Sequence, residues 1–421
     1  MSPNPLQPWM HDVPAAIVQT KAALRQRIKD LPERFAVLDA ALRTEVQAVR
    51  DEQAAGGAVP EIAYADIVAG SVTEAQKQRV RQRGCVVLRG VFSRHQANAW
   101  NDSIGDYIEA LHYEELAKSK VGLDKYFSAL GASKPQIYSL YWSPAQMQAR
   151  QHPDMARAKA FLNGLWDARG TDGKPEFDPD RECAYADRIR RRPPGAVGLG
   201  LSPHADGGSV ERWCDPSFQE VYREVYFGDV SAYNPFSARG RTHTHEIPSP
   251  AVASVFRSFQ GWTALSAQGP GDGTLRVVPI AKGMAWMLLR ALHDDVPPDD
   301  LCGAQPGRAH SASPRWHQTL LDAEVSIPLV EPGDTVWWHS DVIHSVEEQH
   351  RGQGYSNVTY IGAAPWCEKN AAVLQRQAKA FEEGRSCPDF APEDYELGFA
   401  GRATAADLSE LGQQQMGLRP W

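Results

Sequence analysis

Between residues 261 and 363 the chain is a succession of short β-branched and aromatic runs: GWTALSAQ (261–268), GTLRVVPI (273–280), EVSIPLV (324–330), DTVWWHS (334–340) and SNVTYIGA (356–363). Glycine, proline and aspartate punctuate them, and no long helical pattern alternates with them. Parallel strands need a crossover of a dozen or more residues, whereas antiparallel strands need only a turn. Such a run of strands therefore predicts an antiparallel sandwich or jelly roll rather than a parallel α/β sheet. IYSLYW (137–142) and AYADRIRR (184–191) read as further strands. GCVVLRGVF reads as a strand leading into a helix capped by Ser93.

Both ends of the chain read as helix. Ile17, Leu24, Ile28 and Leu31 form one apolar stripe, and Leu38, Leu42, Val46 and Val49 form a second at helical spacing. Pro32 suits the first turn of a new helix after a break near Asp30. AAGGAV (54–59) ends this arm. Towards the other end, EKNAAVLQRQAKAFEEG runs to Gly384 as a C-cap, and Thr404 to Asp407 has the pattern of a capping box. The predicted organisation is a helical arm (1–57), a β-rich core (58–366) and a helical extension packed on that core (367–421). Arms of this size flanking a barrel could also brace the core or support a homodimer.

Charge narrows the functional class. The 44 Lys and Arg against 52 Asp and Glu leave a net charge of −8, with no long run of either sign. A nucleic-acid-binding protein usually carries a basic footprint, so a small-molecule partner is the expectation. The six cysteines show no C-x-x-C spacing, which argues against a zinc site or redox dithiol. The opening MSPNPLQPWMHD lacks the basic start and apolar run of a secretory leader. No window approaches the length of a membrane span. A reduced, cytoplasmic setting follows as the expectation.

The chemistry concentrates in GLSPHADGGSVERW (200–213). Alternate residues on a strand share a face, so His204 and Asp206 could bind one ion together. The third ligand is sought downstream, and His344 in EPGDTVWWHSDVIHSV is the best candidate. Two histidines and one carboxylate on one face of an ion leave the opposite positions open, the arrangement of non-haem Fe(II) oxygenases. A bare H-x-D is weak by itself. Two other pairs have a similar spacing. His243 and His245 form an H-x-H, but no glutamate follows three or four residues on, so they read as surface or substrate-side polar residues. His339 and Asp341 form a second H-x-D too close to His344 to complete a site with it; they could line the pocket or orient a ligand. Trp337 and Trp338 occupy successive strand positions, placing one in the core and one outside it.

The order of these segments resembles the Fe(II)/2-oxoglutarate-dependent oxygenases with a double-stranded β-helix core. GCVVLRGVFSRHQANAWNDSI is similar to the opening strand and helix of phytanoyl-hydroxylase-like members, GWTALSAQGPGDGTLRVVPI to their central strand pair, and PLVEPGDTVWWHSDVIHSV to the strand carrying the distal histidine. PHADGGSVERW together with GRATAADLSELGQQQMGL resembles the YbiU-type family across essentially the whole chain. The resemblance implies an α+β fold with a cupin-like jelly roll. It implies Fe(II) held by His204, Asp206 and His344, with 2-oxoglutarate and dioxygen as cosubstrates and succinate and carbon dioxide as coproducts. It supplies no substrate. Since the carboxylate is present, hydroxylation or oxidative removal of a group is implied rather than the chemistry of related halogenases, in which a small residue replaces the acid.

Relatives commonly anchor 2-oxoglutarate with an arginine about ten residues past the distal histidine, where a fork of donors can meet a carboxylate bidentately. Here Arg351 follows His344 by seven residues. Arg351 from its loop, or Arg276 from GTLRVVPI with help from Ser356, Asn357 or Thr359, are the candidates. DRIRRRPPG places Arg188, Arg190 and Arg192 on one strand face and Arg191 on the other. Arg190 could hold an anionic substrate, or the stretch could be a charged edge that resists pairing. Arg212, Trp213 and His339 are further pocket candidates. A cupin-like metal-dependent isomerase or hydrolase, or a metabolite sensor on the same barrel, are the alternative functions.

Overall fold

The computed structural model describes residues 12–119, 136–170, 172–198, 202–247 and 253–421. The first eleven residues of the helical arm, and Gly200 and Leu201 of the motif-bearing stretch, lie outside these. Helix α1 (Val13–Arg27) starts at Asp12, whose carboxylate accepts from the Ala15 amide at 3.1 Å. Ile28 leaves the helical region, and α2 (Leu31–Ala54) restarts with a proline in its first turn. Leu38, Leu42, Val46 and Val49 are all buried. They share one apolar cluster with Ile17, Leu24 and the helix Gly283–Arg290. Polar bonds hold the arm down as well. Lys21 Nζ donates to the carbonyls of Pro297 and Asp300 at 2.8 and 2.7 Å, and Trp286 Nε1 donates to Asp39 at 3.0 Å. The arm thus braces the core.

The described strands are β1 (Glu61–Ala63), β2 (Cys85–Arg89), β3 (Ile137–Tyr138), β4 (Asp178–Glu182), β5 (Ile189–Arg192), β6 (His204–Ser209) and β7 (Phe259–Ala264), followed by β8 (Leu275–Val277), β9 (Ala309–Ser311), β10 (Val325–Ser326), β11 (Thr335–Trp338), β12 (His344–Val346), β13 (Ser356–Ala363) and β14 (Pro365–Trp366). Seven of them make one sheet in the order β1-β2-β11-β7-β13-β5-β3, five make a second in the order β10-β8-β12-β6-β9, and β14 pairs with β4. All pairings within these sheets are antiparallel except β1 with β2.

Side-chain alternation sorts each strand into two faces. Val87, Trp262, Ala264, Val336, Trp338 and Val358 of the larger sheet meet Leu275 and Val277 of the smaller in one apolar cluster, so the sheets pack face to face. The opposite face of the larger sheet, with Val86, Leu88, Trp337 and Ile361, lies under helices Arg94–Ala110 and Pro153–Asn163. Trp337 is therefore buried like Trp338, contrary to the expectation that one of them stands outside the core: its face is roofed by helices. The smaller sheet turns Ala205 towards α1, α2 and the helix Gly283–Arg290.

Two short helices, Gly283–Arg290 and Pro314–Leu321, interrupt the strand-rich region, which holds no long one among the described residues. Two expected strands need correction. The run 137–142 keeps only two residues in a strand, because the Glu396 carboxylate takes the amides of Tyr141 and Trp142 at 2.7 and 2.9 Å. The run 184–191 enters the sheet only at Ile189, since the C-terminal segment claims the Ala184 amide through the Gln415 carbonyl and the Ala186 amide through Gln377. The C-terminal helix Glu368–Glu383 ends as predicted on Gly384 at φ 72°, and Thr404 and Asp407 form their capping box around a 3-10 turn. All six cysteines are free and buried. No helix among the described residues is long and apolar enough to cross a membrane.

The turn into β11 shows why glycine stands at 333. Its φ is +98°, and a Cβ there would run into the Phe92 carbonyl. Gly333→Ala should lower stability by about 1–3 kcal/mol, from the strained backbone and the displaced β2 loop together. Urea denaturation measures this directly, and a change within error of zero would refute it.

Candidate metal centre

β6 and β12 are neighbours in the smaller sheet, and their register sets His344 opposite His204. Strand alternation then turns Asp206 to the same inward face while Ala205 faces the outer cluster. Three side chains far apart in sequence converge. His204 Nε2 lies 3.5 Å from Asp206 Oδ1, and His344 Nε2 lies 3.4 Å from Asp206 Oδ2. Among the described residues these three are the one group of His, Cys, Asp or Glu whose ligand atoms lie within 4.8 Å of one another.

Each imidazole is held from behind. His204 Nδ1 is 2.7 Å from the Ser202 carbonyl and His344 Nδ1 is 3.2 Å from the Val342 carbonyl. A carbonyl only accepts, so Nδ1 donates to it and Nε2 is the ring atom left facing Asp206. Metal-binding histidines are oriented by such partners. Gln260 on β7 reaches across from the larger sheet, its Nε2 donating to Asp206 Oδ2 at 2.8 Å. The Trp338 ring packs against His344 with centroids 5.1 Å apart.

Electrostatics favour charge on the carboxylate. Burial opposes ionisation of Asp206, but the two histidines outweigh it and hold its pKa well below the usual carboxylate range. Burial pulls His204 down, yet its bond to Asp206 leaves it raised. Burial and the His204 charge keep His344 low. One carboxylate and two imidazoles, one of them readily neutral, make a donor set suited to a divalent cation.

The site opens on one side. Asp206 is 29 % exposed, towards a narrow cavity of about 50 Å³ lined by Gly207, Arg212, Arg241, Arg257 and Ser340 among others. Gly207 is required here: its amide donates to the Ser340 carbonyl at 2.7 Å, and a Cβ would strike Asp341. A larger cavity, about 840 Å³, lies between α2 and the core beside Trp166 and Trp286, away from the triad. Chemistry rather than size directs attention to the smaller one, since the ligand cluster opens there.

A family model described as Gig2-like matches residues 11–418. The chain belongs to the Gig2-like family. It is 47% identical over 410 residues to the YbiU protein of Escherichia coli K12, covering 97% of each chain. A crystal structure from Salmonella typhimurium LT2, described as that of a candidate oxidoreductase, is 46% identical with a TM-score of 0.92, over 98% of this chain and 99% of that one. The GlcNAc Inducible Gene 2 protein of Candida albicans is 25% identical with a TM-score of 0.77, over 100% of this chain and 91% of that one.

The structure separates the remaining sequence candidates of this Gig2-like chain. Arg276 points away from Leu275 and Val277, out of the inter-sheet space, and pairs with Glu324 at 2.8 Å. Arg351 is exposed on its loop. Asn357 faces the outer helices, its Nδ2 donating to Asn101 at 2.9 Å. Trp213 is fully buried in the outer cluster with α1. His339 is sealed at 0 % exposure, stacked on Trp166 with centroids 4.9 Å apart, and Asp341 pairs with Arg241. None of these five candidates, nor Asp341, lines the cavity beside Asp206. His243 and His245 are surface residues beside Glu176 and Asp215. Arg212 does lie at the cavity, its Nη1 donating to the Gly207 carbonyl at 3.1 Å.

Arg190 is the interior cation. It stands opposite Val358 of β13, on the face that lines the inter-sheet space, and is 4 % exposed. Its Nη2 donates to Gln268 at 3.0 Å while its buried Nε has no partner among the described residues. Burial pulls its pKa down, and Tyr360 is the neighbour that opposes this. Arg192 on the same face instead spends both Nη atoms on the carbonyls of Gly273, Glu347, Ala196 and Glu348, and only its Nε is left without a partner among the described residues. The register orders the interior: Gln260 is opposite Gly362 and Trp262 opposite Tyr360, so Arg190 lies two inward steps deeper than Gln260. Tyr360 bridges the levels, feeling both the Arg190 cation and the Asp206 carboxylate. Gln260 and Tyr360 escape a sequence reading focused on charged residues. Their signal was their alternation with Trp262 and Val358, which assigns them the inward face.

Proposed function

We propose that this protein is an Fe(II)/2-oxoglutarate-dependent oxygenase that oxidises a small molecule. The observation that carries the reading is the pairing of an open His-Asp-His face with Arg190, whose guanidinium faces the inter-sheet space and meets no carboxylate among the described residues. A two-histidine, one-carboxylate face is the donor set of non-haem Fe(II) oxygenases. A buried guanidinium with a free donor is suited to the distal carboxylate of a 2-oxo acid. Strand order supports the same fold reading: β5, β7, β11 and β13 in one sheet and β6, β8, β10 and β12 in the other interleave in the manner of a double-stranded β-helix. The description of the Salmonella relative agrees with an oxidoreductase.

His204, Asp206 and His344 would hold the metal, which with 2-oxoglutarate and dioxygen supplies the oxidising power for hydroxylation. The chain's own residues do the positioning. Gln260 fixes one carboxylate oxygen of Asp206 and leaves the other directed at His204. The backbone carbonyls of Ser202 and Val342 keep both Nε2 atoms available. Trp338 and the apolar cluster beneath it exclude water from the inner side. Arg190 anchors the cosubstrate from below and leaves the cavity beside Asp206 to the substrate. No protein nucleophile or general base is needed.

The test is anaerobic absorption spectroscopy with Fe(II), then 2-oxoglutarate. The wild type should show a metal-to-ligand charge-transfer band only with both additions. Arg190→Gln should retain Fe(II) and require about ten to a hundred times more 2-oxoglutarate, the worth of a lost bond to a charged group. Fe(II) binding without a band in the wild type would refute the oxygenase reading in favour of a cupin-like hydrolase, isomerase or sensor.

A further inference from the structure

We propose that the cavity beside Asp206 is a subsite for an oxyanion group, carboxylate or phosphate, of the substrate, held by Arg212 and Arg257 with Lys369 behind them. What the subsite would do rests on the oxygenase reading; its existence does not.

Three arginines reach this cavity. Arg241 is already neutralised, its Nη2 2.8 Å from Asp341 Oδ2. The other two are not. Arg212 spends its Nη atoms on backbone carbonyls of Asp206, Gly207 and Ala253, and its buried Nε has no partner among the described residues. Arg257 makes no hydrogen bond or ion pair among the described residues and lies 5.3 Å over the Tyr185 ring. Lys369 Nζ donates to the carbonyl and hydroxyl of Thr244, which lines the same cavity.

The nearby acids are otherwise engaged. Asp389 accepts from Tyr185 and the Ser254 amide, both at 3.0 Å, and Glu246 pairs with Arg376 at 2.9 Å. Asp206 itself lines the cavity, engaged by His204, His344 and Gln260, and no acid pairs with Arg212 or Arg257 among the described residues. Burial and then the Arg212 charge lower Lys369 to about 8, and an anion entering the cavity would offset these gathered positive charges. Arg-lined pockets suit carboxylates and phosphates because the planar guanidinium offers paired donors. The cavity volume, about 50 Å³, matches one such group. Since it is lined by Asp206 itself, an anion bound there would hold the rest of a substrate beside the metal face.

The test uses the full chain, metal-free, in calorimetric titrations with inorganic phosphate and, separately, acetate. One of these anions should bind the wild type at one site, and which of them binds tighter separates a phosphate subsite from a carboxylate one. Arg257→Gln should weaken that binding about tenfold or more, whereas Arg351→Gln, on its exposed loop, should leave it unchanged. Arg257 is the deciding variant because it carries no bond the fold depends on; Lys369→Gln should give a smaller loss in the same direction. Binding of neither anion, equal binding by Arg257→Gln, or an equal loss in Arg351→Gln would overturn the subsite. The Fe(II)–2-oxoglutarate band of the same preparations keeps the two proposals apart. Anion binding without a band retains the subsite and removes the oxygenase reading; a band without anion binding does the reverse.

Discussion

Asp206→Ala should abolish the anaerobic Fe(II)–2-oxoglutarate band and weaken Fe(II) binding by about a hundredfold or more. Loss of residues that merely orient metal ligands costs about ten- to a hundredfold, and Asp206 is the only anionic ligand in the set. It also sits between the two imidazoles, 3.5 Å from one and 3.4 Å from the other. Without it both histidines lose the neighbour that favours their protonated forms, so the variant should fold with neutral imidazoles and a melting temperature close to that of the metal-free wild type. Gln260→Ala, which removes only the bond to Asp206 Oδ2, should cost about tenfold in metal affinity. Equal Fe(II) affinity in wild type and Asp206→Ala would refute the triad.

The largest effect on stability is expected from Asp341→Asn, at about 3–5 kcal/mol. Asp341 is fully buried and Arg241 nearly so, and their contact is 2.8 Å. The guanidinium is packed between Trp166 and Tyr222, each with its ring centroid 5.5 Å away. It cannot withdraw to water when its carboxylate is neutralised. Removing one partner of a buried pair strands the other charge, whereas replacing both with apolar groups can be nearly neutral. The double variant Asp341→Leu with Arg241→Met should therefore recover most of the loss. Urea denaturation of the three proteins tests this; a single-variant loss below about 1 kcal/mol, the range of exposed ion pairs, would mean that the pair is solvated. The lesion should also reach the metal, because Ser340, next to Asp341, receives the Gly207 amide beside Asp206.

Legibility followed the range of the forces involved. The paired helices of the arm were readable because Leu38, Leu42, Val46 and Val49 repeat with the helical period, and each is buried. The caps at Ser93, Gly384 and Thr404 were readable because capping is a local bond or a local dihedral. The predicted strands at 137–142 and 184–191 shrank because Glu396, Gln377 and Gln415, all distant in sequence, took their amides. β-propensity describes fit to a half-buried surface and does not name the partner.

The same division runs through the site. That His204 and Asp206 share a face follows from strand alternation, and the chemical character of an H-x-D followed by a distant histidine is carried by the residues themselves. Which arginine faces the interior is not. Arg190, Arg276 and Arg351 look alike along the chain, where Arg276 and Arg351 are the candidates for the cosubstrate and Arg190 for an anionic substrate. The pairing of β5 with β13 turns Arg190 inward opposite Val358, while the pairing of β8 with β12 sets Arg276 opposite Ser345, on the outer face beside Glu324. A one-residue change of register would exchange these roles. The sequence by itself determined most element types, the caps and the residues of the candidate metal cluster, because periodicity and side-chain identity are local. Only the tertiary structure decided which charges are buried and unpaired, because burial depends on strand register and on packing between segments hundreds of residues apart.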